Sequence, residues 1–260
     1  MSEGDSAPWR TLASPALLRW LAVVGGVMLI VGVTAHVLVT LTDVSGFVRA
    51  FAGQFERLFY AGAEYTVWAW YTAVLMAAVG VTFAVIAALL HRTDADAGSP
   101  ATPYAILAAV ALALSIDETA QLHEGLTALP RTLGIGPVPT VEWLVAGIPI
   151  AVLGGIGLLI VARHIDAQLR RGLIIGGALF LFGAIVLEGL GGLLARSVDL
   201  ADAPVAAVGA EVLLAVEEGV ELAGVLVALA AVLGMIEVRR ERESVSLRVR
   251  GAGDAASVKA

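Results

Sequence analysis

Long apolar segments dominate this sequence and most constrain what it can fold into. Soluble domains carry about a quarter charged residues, whereas only 15% of this 260-residue chain is charged and 59% is hydrophobic. Several of the apolar segments are long enough to cross a hydrocarbon layer of about 30 Å as helices. The alternating segments of about ten residues that build a membrane β-barrel are not found in the sequence. The chain is therefore predicted to be an integral membrane protein.

The apolar segments predict an all-α, polytopic membrane helix bundle with six transmembrane helices. Helices are expected because they satisfy their backbone hydrogen bonds without water. The predicted spans are Ala16–Leu41, Glu64–His91, Pro103–Leu126, Val141–His164, Gly172–Ala195 and Val205–Val238. The bundle thus covers residues 16–238, after an N-terminal segment (1–15) and before a charged tail (239–260). The tail is rich in charge and then in Gly, Ala and Ser, a composition that predicts disorder.

A shorter segment near residues 44–60 predicts an amphipathic helix lying in the membrane interface. Its apolar residues recur at helical spacing: Val44, Phe47, Val48, Phe51, Phe55, Leu58 and Phe59. Polar residues, among them Arg49 and Glu56, lie between them. The alternative is that this segment extends a neighbouring span.

The distribution of basic residues predicts the orientation of the bundle, because Lys and Arg favour the cytoplasmic side. With the N-terminus inside, the cytoplasmic connections and tail receive twelve of the 16 Lys and Arg residues and the opposite side receives four. We therefore expect a multi-pass protein of the cell membrane with both termini in the cytoplasm.

In this topology most intramembrane ionisable residues fall in the outer half of the bundle. A carboxylate in the middle of a bilayer costs at least ~2.5–3.5 kcal/mol, so these groups are expected to face a protein interior or a wet cavity. There they need protonation, bound cations or basic partners. We predict a metal site formed from this set: Glu64, Asp117, Glu118, His123, Glu124, Glu188, Glu217, Glu218 and Glu221.

The position of each residue on an ideal helix ranks these candidates. At about 100° per residue, Asp117, Gln121 and Glu124 share one face, which favours Asp117 and Glu124 as inward-facing residues. Glu118 and His123 then point elsewhere. For the group around His123 the alternative is a helix end in contact with water.

Other polar and aromatic residues have structural alternatives. Glu188 could be a hydrogen-bond partner for another helix, and Glu64 an exposed acid in the first turn of its span. His36 is predicted to form an interhelical hydrogen bond rather than to bind a metal. The aromatic residues near the outer ends of spans are predicted to form an interfacial belt; they are Tyr65, Trp68, Trp70 and Trp143.

Four motifs occur in order along the chain: GAEYTVWAWYTAVLM, LSIDETAQLHEGL, GAIVLEGLGG and VEEGVELAG. Together they resemble an uncharacterised group of prokaryotic multi-pass membrane proteins with an "LS-DE-HE" motif and a late "EEG-E" motif. The resemblance covers most of residues 60–230. It implies a shared membrane bundle with these acids as its functional core, and it implies no particular reaction.

The residue types narrow the chemistry. The sequence has no cysteine, which excludes disulfides and thiolate ligands. It shows no phosphate loop, dinucleotide fingerprint or HExxH motif, and nothing in it predicts nucleic-acid binding. Oxygen-rich ligation favours a divalent metal ion such as Mn, Mg, Ca or Fe over Zn.

Three functions are consistent with these features. The leading hypothesis is a metal-dependent membrane enzyme acting on a lipid-like substrate at the outer leaflet, with no catalytic residue assigned. The first alternative is a proton- or cation-coupled transporter or channel whose carboxylates relay the ion. The second is a structural or sensory membrane protein. Membrane lipid is the expected partner in each case.

Overall fold

The computed structural model describes residues 8–63, 65–91, 100–197, 204–240, 244–251 and 257–259. Helices make up most of this part of the chain. In chain order they are α1 (Pro15–Thr40), α2 (Gly46–Phe59), α3 (Val67–His91), α4 (Ala101–Ala120), α5 (Leu129–Thr132), α6 (Leu144–Ala162), α7 (Ala167–Leu181), α8 (Glu188–Ser197) and α9 (Pro204–Leu233). A 3₁₀ turn at Glu124–Ala128 precedes α5, and a π turn at Phe182–Leu187 joins α7 to α8.

Five helical segments in the described part of the chain are long and apolar enough to cross a membrane. They are Pro15–Thr40, Val67–His91, Ala101–Ala120, Leu144–Ala162 and Ala167–Ser197, the last formed by α7, the π turn and α8. The predicted all-helical membrane bundle is confirmed at this level. The 30-residue helix α9 is not among the five. A sixth span and the side of the membrane on which the termini lie stay predictions.

The segment predicted to be amphipathic is a separate helix, α2, and not an extension of a span. It packs along α1, where a Cβ on Gly32 would overlap the carbonyl group of Phe59. Ala52 on the packed side is buried, whereas Phe47 and Phe51 are largely exposed. Its placement in a membrane interface stays a prediction.

The apolar core lies along α3 and α9. Phe83 and Ile86 of α3 and Val232 of α9 are almost fully buried. The helices α4 and α7 pack against α3 and α9, respectively. The contact between α7 and α9 is close because a Cβ on Gly224 would lie only 2.6 Å from the Gly176 carbonyl oxygen. Small residues allow such close approach between membrane helices.

The residues before α1 and after α9 form a four-stranded antiparallel sheet, which differs from the disordered tail predicted from composition. Its strands, in the order β1-β2-β3-β4, are β1 (Arg10–Thr11), β2 (Ile236–Arg240), β3 (Val245–Val249) and β4 (Ser257–Lys259). Residues 245–249 alternate apolar and polar side chains with the period of a strand. The composition of the tail does not reveal this alternation.

The ring of Trp9 helps to join this sheet to the chain that precedes α1. The guanidinium carbons of Arg239 and Arg248 lie 4.8 and 4.2 Å from the centroid of the Trp9 indole. Stacking on an aromatic face is a favourable contact for arginine. Because β1 pairs with β2, the start of α1 and the end of α9 lie at the same end of the bundle. The other end, where α4 stops and α6 begins, is called the acidic end below.

Candidate functional site

Five carboxylates from three helical elements meet at the acidic end, and they are called the acid cluster below. They are Glu118 of α4, Glu188 of α8, and Glu217, Glu218 and Glu221 of α9. The charge of Glu221 interacts with those of the other four. Five residues that the sequence placed on three separate spans are therefore brought together by the fold.

Three of the five carboxylates accept a hydrogen bond from a side chain of a neighbouring element. The Thr72 hydroxyl donates to Glu118 over 2.6 Å, and the Trp68 indole N–H donates to Glu218 over 2.8 Å. The N–H of Trp143 donates to Glu188 over 2.7 Å. Each of these bonds uses one carboxylate oxygen and fixes the side chain in place.

The sequence did not predict these hydrogen-bond donors. Trp68 and Trp143 lie near the ends of spans, where tryptophan predicts an interfacial belt. Trp68 is only 1% exposed and Thr72 is 3% exposed, so both belong to the interior. Trp70, in contrast, is 60% exposed. The signal that could have found the pair is their spacing of four residues, which places both side chains on one face of α3.

Glu217 and Glu221 have no hydrogen-bond partner for their side chains among the described residues. They lie one turn apart on α9 and so share a face of the helix. Against this face packs the π turn, where a Cβ on Gly183 would overlap Glu221 and lie 3.1 Å from the Glu217 carbonyl oxygen. Glycine at position 183 therefore allows the two helical elements to meet at the cluster.

The π turn also sets the position of Glu188. A π turn holds more residues than an α turn and is frequent at functional sites. It rotates the following residues relative to an uninterrupted α-helix. As a result Glu188, the first residue of α8, accepts a hydrogen bond from the Trp143 N–H, and its charge acts on Glu217 of the acid cluster.

The end of α4 differs from the continuous helix that was used to rank the candidates. The helix ends at Ala120, and Gln121 adopts a left-handed conformation with a φ of 50°. The angles predicted for Gln121 and Glu124 therefore do not apply. Glu118, predicted to point elsewhere, is the α4 residue that joins the acid cluster, while Glu124 is exposed.

The left-handed residue folds His123 back onto Asp117. One carboxylate oxygen of Asp117 accepts the His123 backbone N–H over 2.9 Å, and the other lies 3.0 Å from the ring Nδ1. This hydrogen bond to Asp117 raises the pKa of the His123 imidazole above its ordinary value. The His123 ring also packs edge-on against Trp143, with 4.9 Å between ring centroids. Through Trp143 this pair is linked to Glu188.

A second group, called the histidine cluster, lies beside the first and joins α1, α2 and α9. His36 Nδ1 lies 2.9 Å from a Glu56 oxygen, and its Nε2 lies 3.5 Å from a Glu211 oxygen. The Tyr60 ring stacks on His36 at 3.9 Å, and its hydroxyl donates to Glu211 over 3.2 Å. Burial and the adjacent Glu211 raise the pKa of the Tyr60 hydroxyl. The predicted interhelical hydrogen bond of His36 is confirmed.

Few basic groups balance the acid cluster within the described ranges. His123 is the one basic side chain there whose charge acts on Glu118 and Glu188. Arg131 and Arg196 lie 3.5 Å from Glu142 instead. Among the described residues, no three His, Asp or Glu side chains are arranged closely enough to hold a metal ion as they stand. Glu64, the ninth predicted ligand, lies outside the described residues.

In the part of the chain that the structure describes, the fold and the site define a helical bundle with five candidate membrane-spanning helices and a cluster of partly buried carboxylates at one end. The chain belongs to the family described as Domain of unknown function (DUF8692), whose model matches residues 15–235. The matched residues include every helix that contributes to the acid cluster. The family description names no activity. No curated protein and no solved structure matches the chain.

Proposed function

We propose that this protein is a metal-dependent membrane enzyme that binds a divalent cation in the acid cluster and acts on a lipid-like substrate. The observation that carries the proposal is the convergence of five carboxylates with one nearby histidine as the basic group in the described structure. The proposal includes the predicted orientation, with the cluster toward the outer leaflet and both termini in the cytoplasm.

Charge balance supports a bound cation. Carboxylates that are removed from water and placed beside each other repel unless protons or cations compensate them. Protein interiors accept such groups when they are paired or coordinate a metal. Here hydrogen bonds from Trp68, Thr72 and Trp143 orient three of the acids but carry no positive charge. A cation from solution would supply that charge.

The residues fit a hard, oxygen-preferring ion. Glu217 and Glu221, whose carboxylates have no partner in the described structure, would be the first ligands, with Glu218, Glu118 and Glu188 around them. Because no three side chains are arranged for coordination as they stand, we expect rotamer changes of Glu217 and Glu221 on binding. Carboxylate ligands favour Mg, Ca or Mn, and they also accept Fe. A bound ion of this kind supplies an activated water for hydrolysis.

The surroundings of the cluster favour catalysis over transport. One turn farther from the acidic end, the space between the helices is lined by apolar side chains, including Met76, Leu114 and Val225. A transport path needs polar groups or water along its length. The described residues provide such groups at one end of the bundle, which fits a site that opens to one side.

Elemental analysis of the purified protein tests the proposal. We expect close to one divalent ion per chain in the wild type and loss of that ion in Glu218→Gln. Glu211→Gln is the matched control, because it removes the same charge from the same helix but in the histidine cluster. An intact wild-type protein without metal, even after incubation with Mn, Mg, Ca and Fe(II), would refute the proposal. Ion flux through liposomes that is lost in Glu221→Gln would favour a transporter instead.

A further inference from the structure

A groove beneath the acid cluster offers a path from the lipid phase to the site. It lies between α4 and α7, over the contact between α3 and α9. Its lining includes Met76 of α3, Leu114 of α4, Gly177 and Phe180 of α7, and Val225 of α9, and it has a volume of about 120 Å³. In the described part of the chain, α4 and α7 make at most slight contact with each other, so these two helices leave the groove between them open.

Every wall of the groove leads to the acid cluster within about one helical turn, or roughly 5.4 Å. Leu114 lies four residues before Glu118 on α4, and Val225 lies four residues after Glu221 on α9. Met76 lies four residues after Thr72, the donor to Glu118. Phe180 of α7 is followed three residues later by Gly183 of the π turn, which packs on Glu221. The apolar groove therefore ends about one helical turn from the acid cluster.

The groove also faces outward from the bundle. Leu114 is 43% exposed, and a Cβ on Gly177 would meet no described atom within 4 Å. Both residues belong to candidate membrane-spanning segments, where the surrounding molecules are lipids. A groove of this size holds a few methylene groups of one chain, and the rest of that chain remains among the lipids.

The acid cluster restricts the head group of the occupant. Each carboxylate that is ionised repels a negatively charged head group. No described arginine contacts the cluster; Arg131 and Arg196 pair with Glu142. An amine or a hydroxyl, in contrast, donates hydrogen bonds, and carboxylates accept them.

We propose that a single-chain membrane amphiphile enters between α4 and α7, with its hydrocarbon chain in the groove and a non-anionic, hydrogen-bond-donating head group among the carboxylates. A long-chain amine or a long-chain alcohol fits this description. This inference names the substrate class of the proposed enzyme and rests on the proposed function for the reaction that follows binding. It also predicts that substrate reaches the site sideways from the bilayer.

Photo-crosslinking of the full-length protein in lipid nanodiscs tests the inference. The probe is a long-chain primary amine with a diazirine in its alkyl chain, and an alkyl phosphate of equal chain length is the comparison. We expect the amine to label peptides that contain Leu114, Phe180 and Val225, and the alkyl phosphate to label them roughly tenfold less. Equal labelling by the two probes would overturn the inference, as would labelling by the amine that avoids the groove.

A matched pair of glycine variants makes the test specific. Gly177→Leu fills the groove without a clash, because the site of its Cβ is open. We expect it to reduce labelling of the groove peptides by roughly tenfold. Gly154→Leu, on α6, places the same side chain in equally open space away from the groove and should label as the wild type does. Undiminished labelling in Gly177→Leu would overturn the inference.

The same samples separate this inference from the proposed function. Gly177→Leu leaves all five carboxylates in place, so it should retain the divalent ion of the wild type. Groove labelling that is sensitive to Gly177→Leu in a protein that binds no metal would leave the inference standing and refute the metal-dependent enzyme. A protein that binds one metal ion per chain but is labelled outside the groove would support the metal-dependent enzyme and refute the inference.

Discussion

The histidine cluster and the acid cluster share one helix, α9, but surround its glutamates with different neighbours. Glu211 faces a histidine and a tyrosine hydroxyl supplied by α1 and the end of α2. Glu217, Glu218 and Glu221, two to three turns farther along, face other carboxylates, and only Glu218 has a hydrogen-bond donor in the described structure. The protein thus gives one oxygen of Glu211 two polar partners of its own. Glu217 and Glu221 have no such partners among the described residues, which is why we place the exogenous cation there.

The largest expected effect comes from disturbing the contact that assembles the acid cluster. Gly183→Leu would drive a side chain into Glu221 and toward the backbone of α9. Overpacking of this kind typically costs ~1–3 kcal/mol, and we expect the upper part of that range because the nearest atoms include backbone. SDS-induced unfolding in mixed micelles measures the change in the free energy of unfolding. Gly154→Leu is the control, because the Cβ of residue 154 lies in open space. Equal stability of the two variants would contradict a close contact between Gly183 and α9.

A somewhat smaller effect is expected from removing the donor to Glu218. Trp68→Phe keeps an aromatic ring in the core but leaves a buried carboxylate without its indole partner. The loss of a partner for a buried polar group costs about 1–3 kcal/mol. Trp20→Phe is the matched control because Trp20 is 69% exposed. If the two substitutions change the unfolding free energy equally, the hydrogen bond of Trp68 does not stabilise the cluster.

Glu211→Gln tests whether the histidine cluster is independent of the acid cluster. The amide can still accept the Tyr60 hydrogen bond, but it loses the charge that faces His36. We expect a loss of about 1 kcal/mol and faster amide hydrogen exchange in α2, because the histidine cluster joins that helix to α1 and α9. Metal content should not change. A loss of metal in Glu211→Gln would show that the two groups form one site.

The smallest effect is expected at the edge of the acid cluster, where His123 is half-buried. Its pKa is raised by Asp117, so its contribution to stability is complete below the unfolded pKa of about 6.5. That contribution is lost as the pH rises through the higher pKa of the folded protein. The difference in unfolding temperature between wild type and His123→Gln should therefore shrink from pH 6 to pH 9. In an Asp117→Asn background the trend should disappear, because the partner that raises the pKa of His123 is gone.

Much of the fold could be predicted from the sequence because membrane helices follow local rules. The helix α3 (Val67–His91) lies within the span predicted from the apolar run Glu64–His91. The amphipathic spacing of the phenylalanines likewise located α2. The sheet was missed because a highly charged segment was interpreted by composition, although Val245, Leu247 and Val249 alternate as in a strand.

The candidate site was predictable as a set of residues but not as an arrangement. Burial costs identified Glu118, Glu188 and the α9 glutamates as inward-facing groups. The helical angles misplaced Glu124, because those angles assume an uninterrupted helix and α4 ends in a left-handed residue, Gln121. Without Gln121 and Glu124 on the face of Asp117, the angles give no reason to prefer Asp117 to Glu118. No local rule indicated that the Trp68 and Trp143 indoles would donate to these acids, since the partners are 150 and 45 residues away in sequence.

The sequence by itself determined that the chain forms a bundle of apolar helices and that acids lie inside it. Hydropathy and burial energy act on each segment separately, so they can be evaluated from local sequence. The tertiary structure alone decided which acids meet each other and which acids receive polar partners from the protein. That division depends on a left-handed residue, a π turn and contacts between distant helices, and these follow from packing of the whole chain. The histidine cluster and the acid cluster carry the same kind of residue, and their neighbours make them different.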